Sequence, residues 1–155
     1  IENCPLFQLL LETMHRLCQG GDNELVLRYF ELRLLNEVGY RPQLQQCVAC
    51  RSILKDTPNS FCPSAGGMLC PGCSQSQPLT YPLSANAQKV LQLLQNNDYN
   101  TVSRLKINPE LVHQLEMVMR NYLKYLLERE VKSAAWLDTL REQTRQAALS
   151  ETALL

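Results

Sequence analysis

The sequence predicts an all-α helical domain with an inserted Cys4 zinc-finger module. Apolar residues recur at three- and four-residue steps over most of the chain, whereas a central segment holds two Cys-x-x-Cys pairs and six of the eight prolines. No strand-like alternation lasts more than a few residues. We therefore expect an N-terminal helical pair over 1–39, the zinc-finger insertion over 40–83, the remaining helices of the same domain over 84–140, and a frayed tail over 141–155.

Composition excludes several classes of protein. The chain has 155 residues, of which 45% are hydrophobic and 19% charged, as in a globular domain rather than a disordered chain. It contains no apolar run of about 18 residues that could span a bilayer, so we expect it to be soluble. Its formal net charge of +0 gives no overall field that would attract nucleic acid or a membrane. Because it begins at Ile1 without a secretory signal, we expect a fragment of a longer protein.

The first helix is predicted from Pro5 to Gln19, with Gly20 and Gly21 just beyond its end. Its apolar residues follow helical spacing, and we expect them to form one buried face: Leu6, Leu9, Leu10, Met14 and Leu17. Cys4 and Cys18 lie in the same helical pattern. We expect both of these thiols to be buried.

A second helix is predicted after Asp22 or Asn23, either of which can cap it, and it should end at Gly39. Apolar residues cover most of its circumference, so this helix should be the most buried. Arg28 and Arg33 lie among them. We expect these two side chains to bind a carboxylate or a backbone end inside the core, with Glu31 and Glu37 as candidate partners.

The central segment predicts one structural zinc ion. Its cysteine pairs are separated by the 19 residues 51–69, a spacing typical of four-thiolate zinc sites. Two such turns can supply four sulfur ligands in a closed tetrahedron, which leaves no position for substrate. The expected ligands are Cys47, Cys50, Cys70 and Cys73. A redox pair is the alternative, and Cys62 is either a replacement ligand or a small loop residue.

The remaining helices are predicted from capping signals. Ser84 should begin one that stops at the polar run Asn96–Asp98, and a short helical turn is expected over 101–105. Asn108 followed by Pro109 and Glu110 should begin a long helix, because a capping side chain, a proline and a carboxylate all suit a helix N-terminus. The apolar stripe of that helix weakens near Ser133.

No catalytic arrangement is visible, so the chain is not expected to be an enzyme. His15 and His113 lie on or beside helical stripes away from any nucleophile, and nucleophile-elbow, phosphate-loop and metalloprotease motifs are missing from the sequence. Basic residues interleave with carboxylates along the long helix. They form either a solvated surface or a phosphate-contacting patch, for which the candidate nucleic-acid-binding residues are Arg120, Lys124, Arg129 and Lys132.

An ordered set of short motifs resembles the C-terminal region of the RecO family of bacterial recombination mediators. The motifs are Tyr29–Leu35, Gly39-Tyr40, Cys47-x-x-Cys50, Ala65–Cys73, Tyr122–Leu126 and Lys132-Ser133. Their order and spacing are more specific than the cysteine pairs alone. The resemblance implies a helical domain with an inserted zinc finger, preceded in the family by an oligonucleotide-binding barrel, which we expect to be absent from the present sequence.

The resemblance also implies a non-enzymatic role in DNA repair and homologous recombination in the bacterial cytoplasm, at repair sites on the nucleoid. Family members bind single- and double-stranded DNA, act with RecR, and help RecA displace single-strand-binding protein. Their helical domain can dock the acidic-hydrophobic tail of that protein, which requires a groove and a nearby cation. The alternative is a structural zinc-ribbon domain that binds proteins and has no nucleic-acid role.

Overall fold

The computed structural model describes residues 4–152, with side chains described through residue 143. Two compact units divide the chain, Ile1–Tyr122 and Leu123–Leu155. In chain order the described elements are α1 (Cys4–Gln19), α2 (Asn23–Glu37), β1 (Asn59–Cys62), β2 (Gly67–Leu69), α3 (Pro71–Ser74), β3 (Tyr81–Leu83), α4 (Ala85–Asn96), α5 (Tyr99–Val102) and α6 (Pro109–Thr152).

The predicted capping residues begin three of these helices. Asp22 accepts a hydrogen bond from the Leu25 backbone N–H at 3.1 Å, and Ser84 accepts one from Ala87 at 3.2 Å. At the start of α6, Asn108 accepts one from the Leu111 N–H at 2.8 Å. Each cap satisfies a backbone donor that has no partner within its own helix. The mainly helical architecture is therefore confirmed.

Helix α1 differs from the prediction of one buried apolar face. Leu10 is 45% exposed and Met14 is 57% exposed, and within α1 only Thr13 is buried. Leu6, Leu9 and Leu17 are half-buried. The reason is that helical spacing identifies which residues share a face but not whether another element packs on it. The predicted burial of Cys4 and Cys18 is also wrong, since both thiols are exposed.

Helix α2 places two arginines where the sequence predicts them to bind core partners. The Arg28 guanidinium is 3.0 Å from the Glu31 carboxylate, and Arg33 donates to the backbone carbonyl of Asn97. The guanidinium of Arg33 also lies 5.0 Å from the centre of the Tyr29 ring. Arg28 thus binds a carboxylate and Arg33 a backbone end, as expected, although Glu37 is not the partner of either.

Burial of the Glu31 carboxyl raises its pKa from 4.5 to about 7, against the opposing charge of Arg28. Because the unfolded chain releases this proton at lower pH than the folded one, stability declines as pH rises from 4.5 to 7. The decline amounts to about 3 kcal/mol at most.

We expect Glu31→Gln to remove this pH dependence, because the amide is neutral and can still accept a hydrogen bond from Arg28. The variant should be more stable than the parent by about 1–3 kcal/mol at pH 8 and nearly equal to it at pH 4.5. Urea unfolding at a series of pH values measures the difference. Glu37→Gln, at an exposed position of the same helix, is the control. A stability difference that is the same at every pH would contradict the expectation.

The central segment contains a small antiparallel sheet that the all-α prediction did not include. Its strand order is β2-β1-β3, and Phe61 on β1 lies opposite Met68 on β2 and Tyr81 on β3. Phe61 is 1% exposed and packs edge-to-face on Tyr122 of α6, with ring centres 5.2 Å apart. Strands of three or four residues are too short for alternation to reveal them.

Glutamines of α4 attach the central segment to the helices. Gln88 and Gln92 donate to the backbone carbonyl of Leu44 at 3.0 and 2.8 Å, and Gln95 donates to that of Pro42 at 2.8 Å. The Gln88 carbonyl accepts a hydrogen bond from Asn59 at 2.9 Å. Gln88 and Gln95 are buried, so these bonds replace water at polar groups that would otherwise be unsatisfied.

One boundary differs from the prediction, and α6 extends beyond the point where its apolar stripe weakens. The short turn expected over 101–105 is α5, which begins at Tyr99 because Asp98 caps it by accepting a hydrogen bond from the Thr101 N–H at 3.1 Å. Helix α6 continues past Ser133 to Thr152, and residues 153–155 of the predicted tail lie outside the described part. Every helix in the described part is too short or too polar to cross a membrane.

Candidate metal centre and basic residues

The first cysteine pair lies in a tight turn. The Arg51 N–H donates to the Cys47 carbonyl at 2.9 Å, and the Cys47 N–H donates to the Ser52 carbonyl at 2.9 Å. Arg51 has a φ of 61°, which is uncommon for a residue with a side chain. This left-handed residue reverses the chain just after Cys50. Both thiols of the pair therefore reach the same point.

The second pair joins β2 to the short helix α3. Cys70 directly follows β2, and Pro71 starts α3 with a fixed φ that suits the first position of a helix. The Ser74 N–H donates to the Cys70 carbonyl at 3.0 Å. This single turn places Cys73 on the same side as Cys70.

Backbone contacts hold the two turns together. Met68 donates to the Gln43 carbonyl at 2.8 Å, and Val48 donates to the Met68 carbonyl at 2.9 Å. Gly67 lies against both Gln43 and Val48. A Cβ added to it would stand 2.6 Å from the Gln43 carbonyl oxygen and 2.7 Å from the Val48 side chain. The glycine therefore permits an approach that any side chain would block.

The four predicted ligands form one cluster. Their sulfur atoms all lie within 4.8 Å of one another, and the Cys50 and Cys70 sulfurs are 3.9 Å apart. Four sulfurs placed at about 2.3 Å from a tetrahedral ion would be about 3.8 Å apart, so the arrangement fits a metal site. The thiols are free, since a disulfide needs a separation of about 2.05 Å. Cys47, Cys50, Cys70 and Cys73 can hold one metal ion.

The surroundings of the cluster affect its thiols unequally. Burial opposes ionisation of Cys47, but backbone N–H groups, first that of Cys50 and then that of Cys70, lower its pKa to about 6. The hydroxyl of Ser52, 3.0 Å from the Cys50 sulfur, lowers the pKa of Cys50. Crowding by the other thiols, above all Cys70, raises the pKa of Cys73 to about 12. Because the crowded thiols oppose the ionisation of Cys73, all four groups can be thiolates together only when a cation bound between them balances their negative charge.

Cys62 is outside this cluster and is not the loop residue that the sequence suggests. It ends β1, is fully buried, and packs with Cys47 and Leu69 in a small apolar core. Its sulfur is 3.2 Å from the Ser64 hydroxyl. Cys62 is a packing residue of the finger, which gives the cluster an apolar inner side.

The four predicted nucleic-acid-binding residues all belong to α6 and differ in their ion pairing. Arg120 belongs to the first unit, where it lies 3.9 Å from Glu116, and Lys124 in the second unit lies 4.0 Å from Glu128. Five positions separate Lys124 from Arg129, which is about 140° around a helix. Among the described side chains, Arg129 and Lys132 form no ion pair.

Arg129 and Lys132 border a concavity of about 550 Å³ in the second unit. Its other lining residues are Tyr125, Glu128, Ser133, Trp136 and Leu137. Neither Tyr125 nor Trp136 is among the functional residues predicted from the sequence. The sequence signal that could have identified them is helical spacing, because each ring is four residues from one of the two cations.

The fold and the cluster define a class: a helical domain that carries a four-cysteine metal finger between its second and fourth helices. Residues 2–135 match the sequence model of the family described as Recombination protein O C terminal. The chain belongs to this RecO family.

Relatives named DNA repair protein RecO support the assignment. The protein of Dehalococcoides mccartyi strain BAV1 is 43% identical over 90% of this chain and 54% of its own length. That of Roseiflexus sp. strain RS-1 is 40% identical over 95% of this chain and 52% of its own. That of Halalkalibacterium halodurans is 32% identical over 89% and 54%. The chain spans about half the length of these curated relatives.

Proposed function

We propose that the chain is the zinc-bearing helical part of a RecO-like mediator that acts without catalysis in DNA repair and recombination. The observation that carries this proposal is the match to relatives named DNA repair protein RecO, over nearly the whole chain. The four-cysteine cluster supports it, because a closed tetrahedral site leaves no position for substrate and its metal serves folding. The proposed location is the bacterial cytoplasm, at repair sites on the nucleoid.

The proposed cofactor is one structural Zn²⁺ held by Cys47, Cys50, Cys70 and Cys73. Four thiolates at tetrahedral spacing favour zinc over magnesium or calcium, which bind oxygen. The proposed arrangement has a helical pair over 1–39, the finger over 40–83, further helices over 84–140, and a tail over 141–155. In this arrangement the metal crosslinks a segment that has few apolar residues of its own.

The proposed partners are RecR, the acidic-hydrophobic tail of single-strand-binding protein, and, through the pathway, RecA. The similarity of the chain to proteins named DNA repair protein RecO supports these partners. The concavity bordered by Arg129 and Lys132 offers what an acidic-hydrophobic tail requires, since Trp136 and Leu137 supply apolar surface and two cations lie beside them.

DNA contact by Arg129 and Lys132 is the part of this proposal that a titration tests directly. We expect weak binding to a labelled single-stranded oligonucleotide at low salt, falling as salt increases. Replacing both residues with alanine should remove about two phosphate contacts and reduce the salt slope by about 1.4. The matched control is Arg120→Ala with Lys124→Ala, because those cations are already paired with Glu116 and Glu128. Equal losses in both double variants would contradict the assignment.

The second candidate, a protein-binding zinc-ribbon domain without a nucleic-acid role, is favoured by the net charge of +0 and by the ion-paired state of Arg120 and Lys124. Pull-down with RecR and with the tail of single-strand-binding protein, run beside the DNA titration, separates the two. Partner binding with no DNA binding at low salt would select this candidate.

A further inference from the structure

Helix α1 carries a row of exposed apolar side chains, which we call the outer strip. Its members follow at alternating steps of three and four residues, and they are Cys4, Phe7, Leu11, Met14 and Cys18. At about 100° per residue they fall within a sector of about 80° and extend about 21 Å along the helix axis. Phe7 is 62% exposed and Leu11 is 48% exposed, and Leu10 borders the strip.

The other side of α1 already has partners. Helix α1 packs against α2, and its buried residue, Thr13, is about 140° around the helix from the centre of the outer strip. The guanidinium of Arg16 lies 4.2 Å from the centre of the Tyr99 ring and 5.6 Å from that of Tyr29. These contacts attach α1 to α2 and α5. They fix the orientation of the helix and leave the outer strip in water.

The outer strip is large enough to be a binding surface but too small to hold two free copies of the chain together. A half-exposed side chain of this size presents about 100 Å², so Phe7, Leu10, Leu11 and Met14 together offer about 400 Å². Exposed apolar patches of about 300–600 Å² are often functional. A stable complex of free proteins needs about 800 Å² from each partner. A covalently joined segment needs less, because its local concentration is high.

The spacing of the outer strip indicates the shape of its occupant. Alternating steps of three and four residues are the spacing with which two helices pack side by side along a seam. A seam of about 21 Å corresponds to about four helical turns. The occupant that fits is therefore an amphipathic helix of about that length.

RecO relatives contain a region from which such a helix can come. The family match is to the part described as C terminal, and it begins at residue 2, just before α1. The Dehalococcoides mccartyi BAV1 protein is matched over 54% of its length, so much of that relative lies outside the matched region. In a protein described by a C-terminal match, these residues mainly precede the region that corresponds to α1. They are therefore joined to it at the end where the outer strip begins.

We propose that the outer strip of α1 binds an amphipathic helix from the N-terminal part of RecO polypeptides, the part that precedes the region matched by this chain. Phe7, Leu11 and Met14 pack against the apolar side of that helix. This inference goes beyond the proposed function, and neither the metal ligands nor the proposed DNA-contacting residues belong to α1. Its failure would therefore leave zinc binding and DNA contact in place.

Cys18 provides a direct test, because its thiol is exposed at one end of the outer strip. The unmatched N-terminal residues of the Dehalococcoides mccartyi BAV1 protein are joined to Ile1 of this chain, and maleimide labelling of Cys18 is followed by mass spectrometry. The chain alone should label rapidly, and the joined protein at least about 10-fold more slowly. Glu12→Cys is the matched control. It lies about 120° around the helix from Cys18 and should label equally in both proteins.

A substitution within the strip tests the same contact through stability. Leu11→Gln should leave the melting temperature of the chain alone nearly unchanged, because Leu11 is half exposed and both residues are good helix formers. In the joined protein it should lower the melting temperature by about 3–10 °C, because the side chain is then buried. Glu12→Gln, on the polar side of α1, should change neither melting temperature.

Photocrosslinking tests the shape of the occupant. A benzoyl group on the ring of Phe7 should attach to residues of the N-terminal part that recur at steps of three or four. Attachment at every second residue would indicate a strand and overturn the assignment to a helix.

Two further results would overturn the inference. One is equal labelling of Cys18 in the chain alone and in a joined protein that is folded by circular dichroism and carries zinc. The other requires only the chain alone: slow labelling of Cys18 together with a dimer in sedimentation analysis assigns the outer strip to a second copy.

Discussion

Cys50→Ser is expected to abolish metal binding and unfold the finger. Serine has almost the same shape and Cys50 is exposed, so the substitution creates no packing defect and removes only a thiolate ligand. Structural zinc contributes about 10–16 kcal/mol to the folding of small finger domains, which exceeds the total stability of many domains. Loss of one of four ligands should therefore eliminate most of the folding energy of the segment.

Metal analysis and thermal unfolding measure this effect. The parent chain should carry about one zinc per molecule, and a chelator should lower its melting temperature as much as Cys50→Ser does. Cys18→Ser, at an exposed thiol of α1, should change neither quantity. Cys62→Ser should retain the metal despite some loss of packing, because Cys62 lies outside the cluster. A Cys50→Ser protein with its full zinc content would refute the site.

Phe61→Ala is expected to have the second largest effect. Phe61 is 1% exposed and lies at the centre of the three-stranded sheet, where it packs edge-to-face on Tyr122. Removing such a ring costs about 3–5 kcal/mol through lost burial and the cavity left behind. Because Tyr122 also donates a hydrogen bond to the Tyr40 carbonyl at 3.0 Å, the loss should affect both the finger and the part of α6 around Tyr122.

Denaturant unfolding followed by circular dichroism tests this expectation. The matched control is Ile53→Ala, another apolar residue of the finger, which is 80% exposed and should cost less than about 0.5 kcal/mol. If Phe61→Ala unfolds at the same denaturant concentration as the parent, the ring does not connect sheet and helix. Zinc content should remain near one per chain, which separates this variant from the ligand variants.

The sequence predicts the parts of this fold that depend on local geometry. Asp22, Ser84 and Asn108 cap helices because one side chain and a nearby N–H suffice, and the cysteine pairs form turns because two residues separate the thiols. These features need no knowledge of distant contacts. The family resemblance was likewise visible in short motifs, and the family match confirms it.

Features that depend on packing were not predictable in the same way. The apolar period of α1 does not reveal that Leu10 and Met14 stay exposed. The position of Cys62 between the two cysteine pairs does not reveal that its side chain is buried inside the finger. Arg51 gives no sign of its left-handed backbone, because arginine is not typical of that conformation. The role of Gln88 is also invisible, since its partners Leu44 and Asn59 are distant along the chain.

Because glutamines of α4 bind its backbone, the finger does not contain all of its own hydrogen-bond donors. The donors that satisfy the Pro42 and Leu44 carbonyls are supplied by Gln88, Gln92 and Gln95, outside the segment that carries the cysteines. A peptide covering 40–83 would keep all four sulfurs and lose these donors together. A finger moved into another protein would therefore need substitute donors for these carbonyls, or the helix that follows it.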